Sequence, residues 1–175
     1  MAEAELERDP RITVLSSLYG GSGEGAAAFL AAAARGEKTG TPGMVPRNGS
    51  WLQEPVLPPV LPAWLTDADI DFYAGEFRRT GFRGPLNYYR NIDRNWELTA
   101  AFADVMVTVP SLFVAGDHDL VIAAPGMDQH LANLKQFVPA LRNIRILPGC
   151  GHWTQQERPS EVSAAIIDFI RGLPD

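Results

Sequence analysis

The sequence predicts an α/β chain whose second part is a β-α-β-α unit, and three observations carry that expectation. Two short apolar runs, "SLFVAG" at 111–116 and "NIRILPG" at 143–149, each end in glycine. A stretch of helical periodicity lies between them and another follows the second. Strands connected in this way pair in parallel through a right-handed crossover helix. Before about residue 98 the character differs, with Gly- and Pro-rich stretches threaded between short helices.

From the N-terminus, "YGGSGEG" (19–25), "KTGTPGMVPRNGS" (38–50) and "EPVLPPVLP" (54–62) read as loops, and a helix is expected through "EGAAAFLAAAARG". The best-marked helix of this part is "LTDADIDFYAGEFRRTG". There Thr66 and Asp69 fit a capping box, Leu65 and Ile70 fit the flanking hydrophobic staple, and Ile70, Tyr73 and Phe77 form an apolar stripe that Gly81 can stop. One further helix is expected in "PLNYYRNIDRNWE". The continuous apolar run "SLFVAG" predicts a strand buried on both faces. In "PGMDQHLANLKQFVP" (125–139), Met127, Leu131, Leu134 and Val138 fall at the spacing of a single crossover helix. The last helix opens at Pro159 with Glu161 in its first turn. It carries Val162, Ile166, Phe169, Ile170 and Leu173 on one stripe and closes at Gly172. The chain has no internal repeat and no low-complexity tail.

At 175 residues the chain has room for one ordinary domain, or a small domain with an appendage. Its net charge of −6, from 21 acids and 15 bases without a dense Lys/Arg cluster, argues against a nucleic-acid surface. The single cysteine excludes an internal disulfide and a cysteine-built metal site, and three scattered histidines show no ligand spacing, so neither metal nor cofactor is expected. The longest apolar run, "AAAFLAAAA", is too short for a bilayer, and the acidic "MAEAELERD" is the wrong sign for a leader. A cytoplasmic protein is expected.

Ligands of open parallel sheets bind beyond the carboxyl ends of the strands. "GDHDLV" follows the first strand with Asp117 and Asp119, and "GCGHW" follows the second with His152. A carboxylate holding one imidazole nitrogen fixes the tautomer and frees the other nitrogen to take a proton. Each residue alone also has a structural reading, the aspartates as turn or cap residues and the histidine as a packed one. The turn role falls to Asp117, which lies closer to the strand, and the acid–base role to Asp119 with His152. His118 is a weaker candidate, and His130, on the crossover helix, is expected to face solvent. Cys150 could pair with His152 as a nucleophile, but two residues apart in one tight loop they would rarely point at each other.

"GFRGPLNYYRNIDRNWE" (81–97), "AGDHDLV" (115–121) and "CGHWTQQERPSEV" (150–162) together resemble the soluble epoxide hydrolases of the α/β-hydrolase superfamily. The resemblance implies a partial α/β-hydrolase fold: a helical lid at 1–97, then at 98–175 the last two parallel strands of the core with their helices. It implies Asp119 as the charge-relay acid, His152 as the base that activates water against a covalent ester, and Tyr89 as a lid tyrosine that donates a hydrogen bond to the epoxide oxygen. Tyr88 is expected to serve lid packing. Trp51, Val56, Leu57 and Trp64 suggest an apolar substrate, and the resemblance implies that it is a small epoxide.

The chain has no "HGxP" turn and no G-x-D-x-G or G-x-S-x-G elbow. It is therefore expected to be the C-terminal portion of a larger enzyme, inactive alone because the nucleophile is absent. An alternative within the superfamily is a haloalkane dehalogenase or serine esterase. Another is a non-catalytic protein, either a vestigial fragment or a subunit that completes its sheet with a separate N-terminal half; that half or a second copy of the chain in a homo-oligomer is the partner expected. If unpartnered, the strand edge would invite association.

Overall fold

The computed structural model describes residues 2–37, 49–50 and 55–174. Most of the loop expected at 38–50, and Trp51, lie outside these residues. The described residues divide into two compact units, one made of 2–19, 49–50 and 55–104, the other of 20–37 and 105–174. In chain order the elements are α1 (Ala2–Leu6), α2 (Pro10–Gly20), α3 (Gly23–Ala34), α4 (Asp67–Thr80), α5 (Arg83–Arg90), α6 (Ile92–Thr99), a 3₁₀ turn (Ala100–Phe102), β1 (Ser111–Gly116), α7 (Met127–Ala132), α8 (Leu134–Phe137), β2 (Leu141–Leu147), α9 (Thr154–Glu157) and α10 (Pro159–Arg171).

The first unit is helical. Helix α2 was not foreseen, although its start signal is legible: Asp9 accepts the amides of Arg11 and Ile12, both at 3.1 Å, and Pro10 occupies a position that needs no N–H partner. Its Val14, Leu15 and Leu18 are buried. Side chains tie these N-terminal helices to the later ones of the unit. Glu7 accepts the Phe82 amide at 3.2 Å, Arg90 reaches Glu3 at 2.8 Å, and Arg11 bridges Asp67 and Asp71.

Helix α4 forms as expected. Thr66 and Asp69 make the reciprocal capping box, Leu65 and Ile70 are buried as a staple requires, and Gly81 stops the helix at φ +70°, a conformation that costs other residues a Cβ clash. The buried row is Ile70 and Ala74, with Phe77 stacked on Phe82 at a ring separation of 4.3 Å, while Tyr73 lies outside it. The Thr66 hydroxyl and amide hold the Asp69 carboxyl below the usual aspartate range. A depressed folded-state pKa contributes stability that is present above the unfolded aspartate value of about 4 and lost as the pH falls through the lowered one. Thr66→Ala is expected to destabilise the unit by about 1 kcal/mol. Urea titrations should show that difference at neutral pH and a smaller one in acid.

Two expected single helices are each divided by an asparagine. Asn91 separates α5 from α6 and donates its side-chain amide to Asn87 O at 2.8 Å. Asn133 separates α7 from α8 and does the same to Gln129 O at 2.9 Å. A short amide side chain that bonds the carbonyl four residues back competes with the helical ladder.

In the second unit β1 and β2 pair in parallel, with Leu112 opposite Asn143 and Gly116 opposite Leu147, and one irregularity between Ser111 and Leu112. Among the described residues the sheet has only these two strands. β1 is correspondingly not buried on both faces: Ala115 and Gly116 are buried, but Ser111–Val114 are only half covered. Helices α9 and α10 pack on β1. Pro159 begins α10 as expected, and Val162 and Phe169 are half-buried. Ile166, Ile170 and Leu173, expected on that same stripe, are exposed together with Ile167. No helix among the described residues is long and apolar enough to cross a membrane.

Candidate active site

The carboxyl ends of β1 and β2 lie side by side because the strands are parallel and in register to Gly116 and Leu147. The turn after β1 carries Asp117 and Asp119. The turn after β2 passes through Gly149, at φ +68°, and brings His152 round. His152 Nδ1 and Asp119 Oδ2 are 3.1 Å apart. A carboxylate only accepts, so Nδ1 carries the proton and Nε2 presents its lone pair. The two side chains differ in exposure, 11% for Asp119 and 49% for His152, so the acid is shielded while the imidazole faces outward.

Asp119 is itself held by the Val121 amide, which donates to its Oδ1 at 2.8 Å. Asp117 does not make the local turn or cap bond expected of it: it accepts the Gly149 amide of the turn after β2 at 2.7 Å and so ties the two turns together. His118 has Nδ1 3.3 Å from Gly23 O, and His130 is exposed on α7. Tyr89 lies on α5 in the helical unit and is 73% exposed. Tyr88, expected to pack, is 81% exposed, as no residue of α5 is buried. Of the apolar residues expected to shape a pocket, Val56 and Leu57 are exposed.

Cys150 is fully buried, and burial pushes its thiol up to about 11, with the Glu157 carboxylate adding to the rise. A thiol held protonated at neutral pH is a poor nucleophile, which agrees with the sequence argument against a Cys–His pair. In native protein Cys150 is expected to resist iodoacetamide and to react at the rate of a free thiol in denaturant, which mass spectrometry can follow. Among the described residues no group of three or more His, Cys, Asp or Glu side chains could hold a metal ion.

The histidine loop rests on backbone from a distant part of the chain. The His152 amide donates to Gly21 O at 2.7 Å, and the His118 amide donates to Cys150 O at 2.9 Å. Glu157, at the end of α9, accepts the amides of Gly23 at 2.9 Å, Gly151 at 3.0 Å and Trp153 at 3.2 Å. The sequence reading missed Glu157. Its setting in "TQQER" is that of a surface helix, and a partner 134 residues away, Gly23, leaves no mark in local sequence.

A profile of the alpha/beta hydrolase family matches residues 3–165. The chain belongs to this family. Its relatives are epoxide hydrolases. It is 41% identical to epoxide hydrolase A of Mycobacterium tuberculosis (strain ATCC 25618 / H37Rv) over 173 residues, 99% of this chain and 49% of that protein. It is 45% identical to epoxide hydrolase 2 of Siraitia grosvenorii over 116 residues, 65% of this chain and 37% of that one. Among solved structures, an epoxide hydrolase from an endophytic Streptomyces superposes with a TM-score of 0.82 at 39% identity, covering 98% of this chain and 48% of the other. Epoxide hydrolase A from Mycobacterium thermoresistibile superposes at 0.80 with 40% identity, over 99% and 50%. The chain thus spans about half the length of the relatives it matches throughout.

Proposed function

We propose that this chain supplies the acid–base half of an epoxide hydrolase active site, with Asp119 and His152 acting on an ester formed by a nucleophile that the chain does not itself contain. The observation that carries the reading is the Asp119–His152 pair at the carboxyl end of the parallel sheet, with Nε2 free of a hydrogen-bond partner among the described residues. Its chemistry suits the second half of the reaction. In the first half an aspartate carboxylate attacks an epoxide carbon, the C–O bond opens, and the alkoxide takes a proton from a phenol. In the second, His152 Nε2 removes a proton from water and the hydroxide attacks the ester carbonyl; as the ester C–O bond breaks, the imidazolium gives that proton to the departing alkoxide, which leaves as the diol, and the carboxylic acid formed returns to carboxylate as its proton restores the phenol.

In this reading Tyr89 is the phenol, residues 1–97 serve as lid and residues 98–175 as core, with 20–37 lying in the compact unit that holds the sheet. The substrate is a small apolar epoxide. The single cysteine and the absence of a disulfide support a cytosolic setting.

The purified chain is expected to form no diol from styrene oxide. Supplied with the complementary half of a related epoxide hydrolase, it is expected to do so, and His152→Ala should abolish that turnover. Turnover that survives His152→Ala would remove His152 from the mechanism.

A further inference from the structure

We propose that Glu157 is a positioning residue for His152: its carboxylate holds the histidine loop against the Gly21–Gly23 backbone and so fixes the imidazole on Asp119. The inference rests on the reading of His152 as the base, and its test does not depend on turnover.

The three donors to Glu157 come from both sides of a joint. Gly151 and Trp153 flank His152, and both of their amides end on the Glu157 carboxylate, Gly151 on Oε2 and Trp153 on Oε1. The third, Gly23, begins α3, and its amide shares Oε2 with that of Gly151. The His152 amide between them is taken by Gly21 O at 2.7 Å. Every backbone donor from Gly151 to Trp153 is therefore committed either to Glu157 or to the segment that Glu157 also holds. The segments also approach closely, since a Cβ on Gly23 would fall against the Gly149 carbonyl and 3.2 Å from the Gly151 nitrogen.

A carboxylate suits this place and an amide does not. Both Glu157 oxygens face N–H donors, and a glutamine would turn its own NH₂ toward one of them, leaving a partly buried donor opposed by a donor. Released at Gly151 and Trp153, the loop would keep His152 near the sheet end but lose the angle that directs Nδ1 at Asp119.

The neutral imidazole reports this directly. Bound to Asp119 it carries its proton on Nδ1, whereas a free imidazole favours Nε2, and the two tautomers have distinct side-chain ¹⁵N shifts. In the whole chain, E157Q is expected to move His152 toward the pattern of D119N and to lower amide protection at Gly23, Gly151 and Trp153 by about ten-fold or more. E157D, which keeps the charge on a shorter arm, should show a partial change. A wild-type tautomer in both variants, even with a lowered unfolding midpoint, would make Glu157 merely structural and overturn the proposal. So would unprotected amides at the three positions in the unaltered chain, a measurement independent of whether any variant folds. If the tautomer shifts as expected but the complemented enzyme forms no diol, the functional reading fails while the role of Glu157 in holding the imidazole stands.

Discussion

Asp119→Asn is expected to lower diol formation by the complemented enzyme by about ten-thousand-fold while leaving the fold intact. The asparagine carbonyl can keep the bond from the Val121 amide, which lies 2.8 Å from Oδ1. The replaced Oδ2, 3.1 Å from His152 Nδ1, becomes an NH₂ group. Facing that donor, the imidazole must accept at Nδ1 and place its proton on Nε2, where it can no longer take one from water. The loss should fall on ester hydrolysis and not on ester formation. In single turnover an alkylated nucleophile should therefore accumulate, visible as an epoxide-sized mass on the complementing half. Asp119→Asn combined with His152→Ala should cost about as much as His152→Ala alone, because in the proposed mechanism the two residues act as a unit. A loss below ten-fold would show that Asp119 does not direct the base.

Gly151→Ala is expected to cost about 3 kcal/mol or more, measured as a lowered urea midpoint, and to displace the histidine loop. A methyl at this position would meet the Gly23 nitrogen and the Ser22 carbonyl carbon, and would sit 2.5 Å from Gly21 O. These are backbone atoms and cannot rotate aside as a side chain would. Relief would require the loop to back away, which would break the His152 N–H to Gly21 O bond and the Gly151 N–H to Glu157 bond. Gly36→Ala, where a Cβ would meet nothing within 4 Å, carries only the cost of its φ of +75° and is the comparison variant. If both substitutions prove equally mild, the close approach is not a constraint on the fold.

Much of the architecture was legible because its signals are local. The Thr66–Asp69 box, the staple at Leu65 and Ile70, and Pro159 at a helix start mark their elements within a few residues, and all three are realised. The acid and the histidine were legible through a topological rule, since parallel strands bring their following turns together wherever the residues stand in sequence. Asn91 and Asn133 were not read as breaks, because apolar spacing continues across both and the competing side-chain bond is invisible to periodicity. Helix α2 carries its start signal in Asp9 and Pro10, but its buried Val14, Leu15 and Leu18 stand among Thr13, Ser16 and Ser17, so its apolar stripe is short. Burial of β1 on both faces was expected from a run of apolar residues, and that pattern records what a strand can bury, not what covers it here. Glu157 was illegible for another reason: its role exists only once the chain returns to Gly23.

Cys150 stands two positions before His152, buried within the turn that carries it. It is therefore a built-in clock for that turn. With the thiol in reach only when the turn opens, the rate of its modification reads how often the turn at 148–153 leaves the sheet, on a scale separate from global unfolding. Fast labelling with an unchanged unfolding midpoint would describe a His152 that spends part of its time away from Asp119. Labelling no faster than unfolding would describe a His152 already set in place on Asp119, so that the proposed reaction would include no step spent assembling the pair.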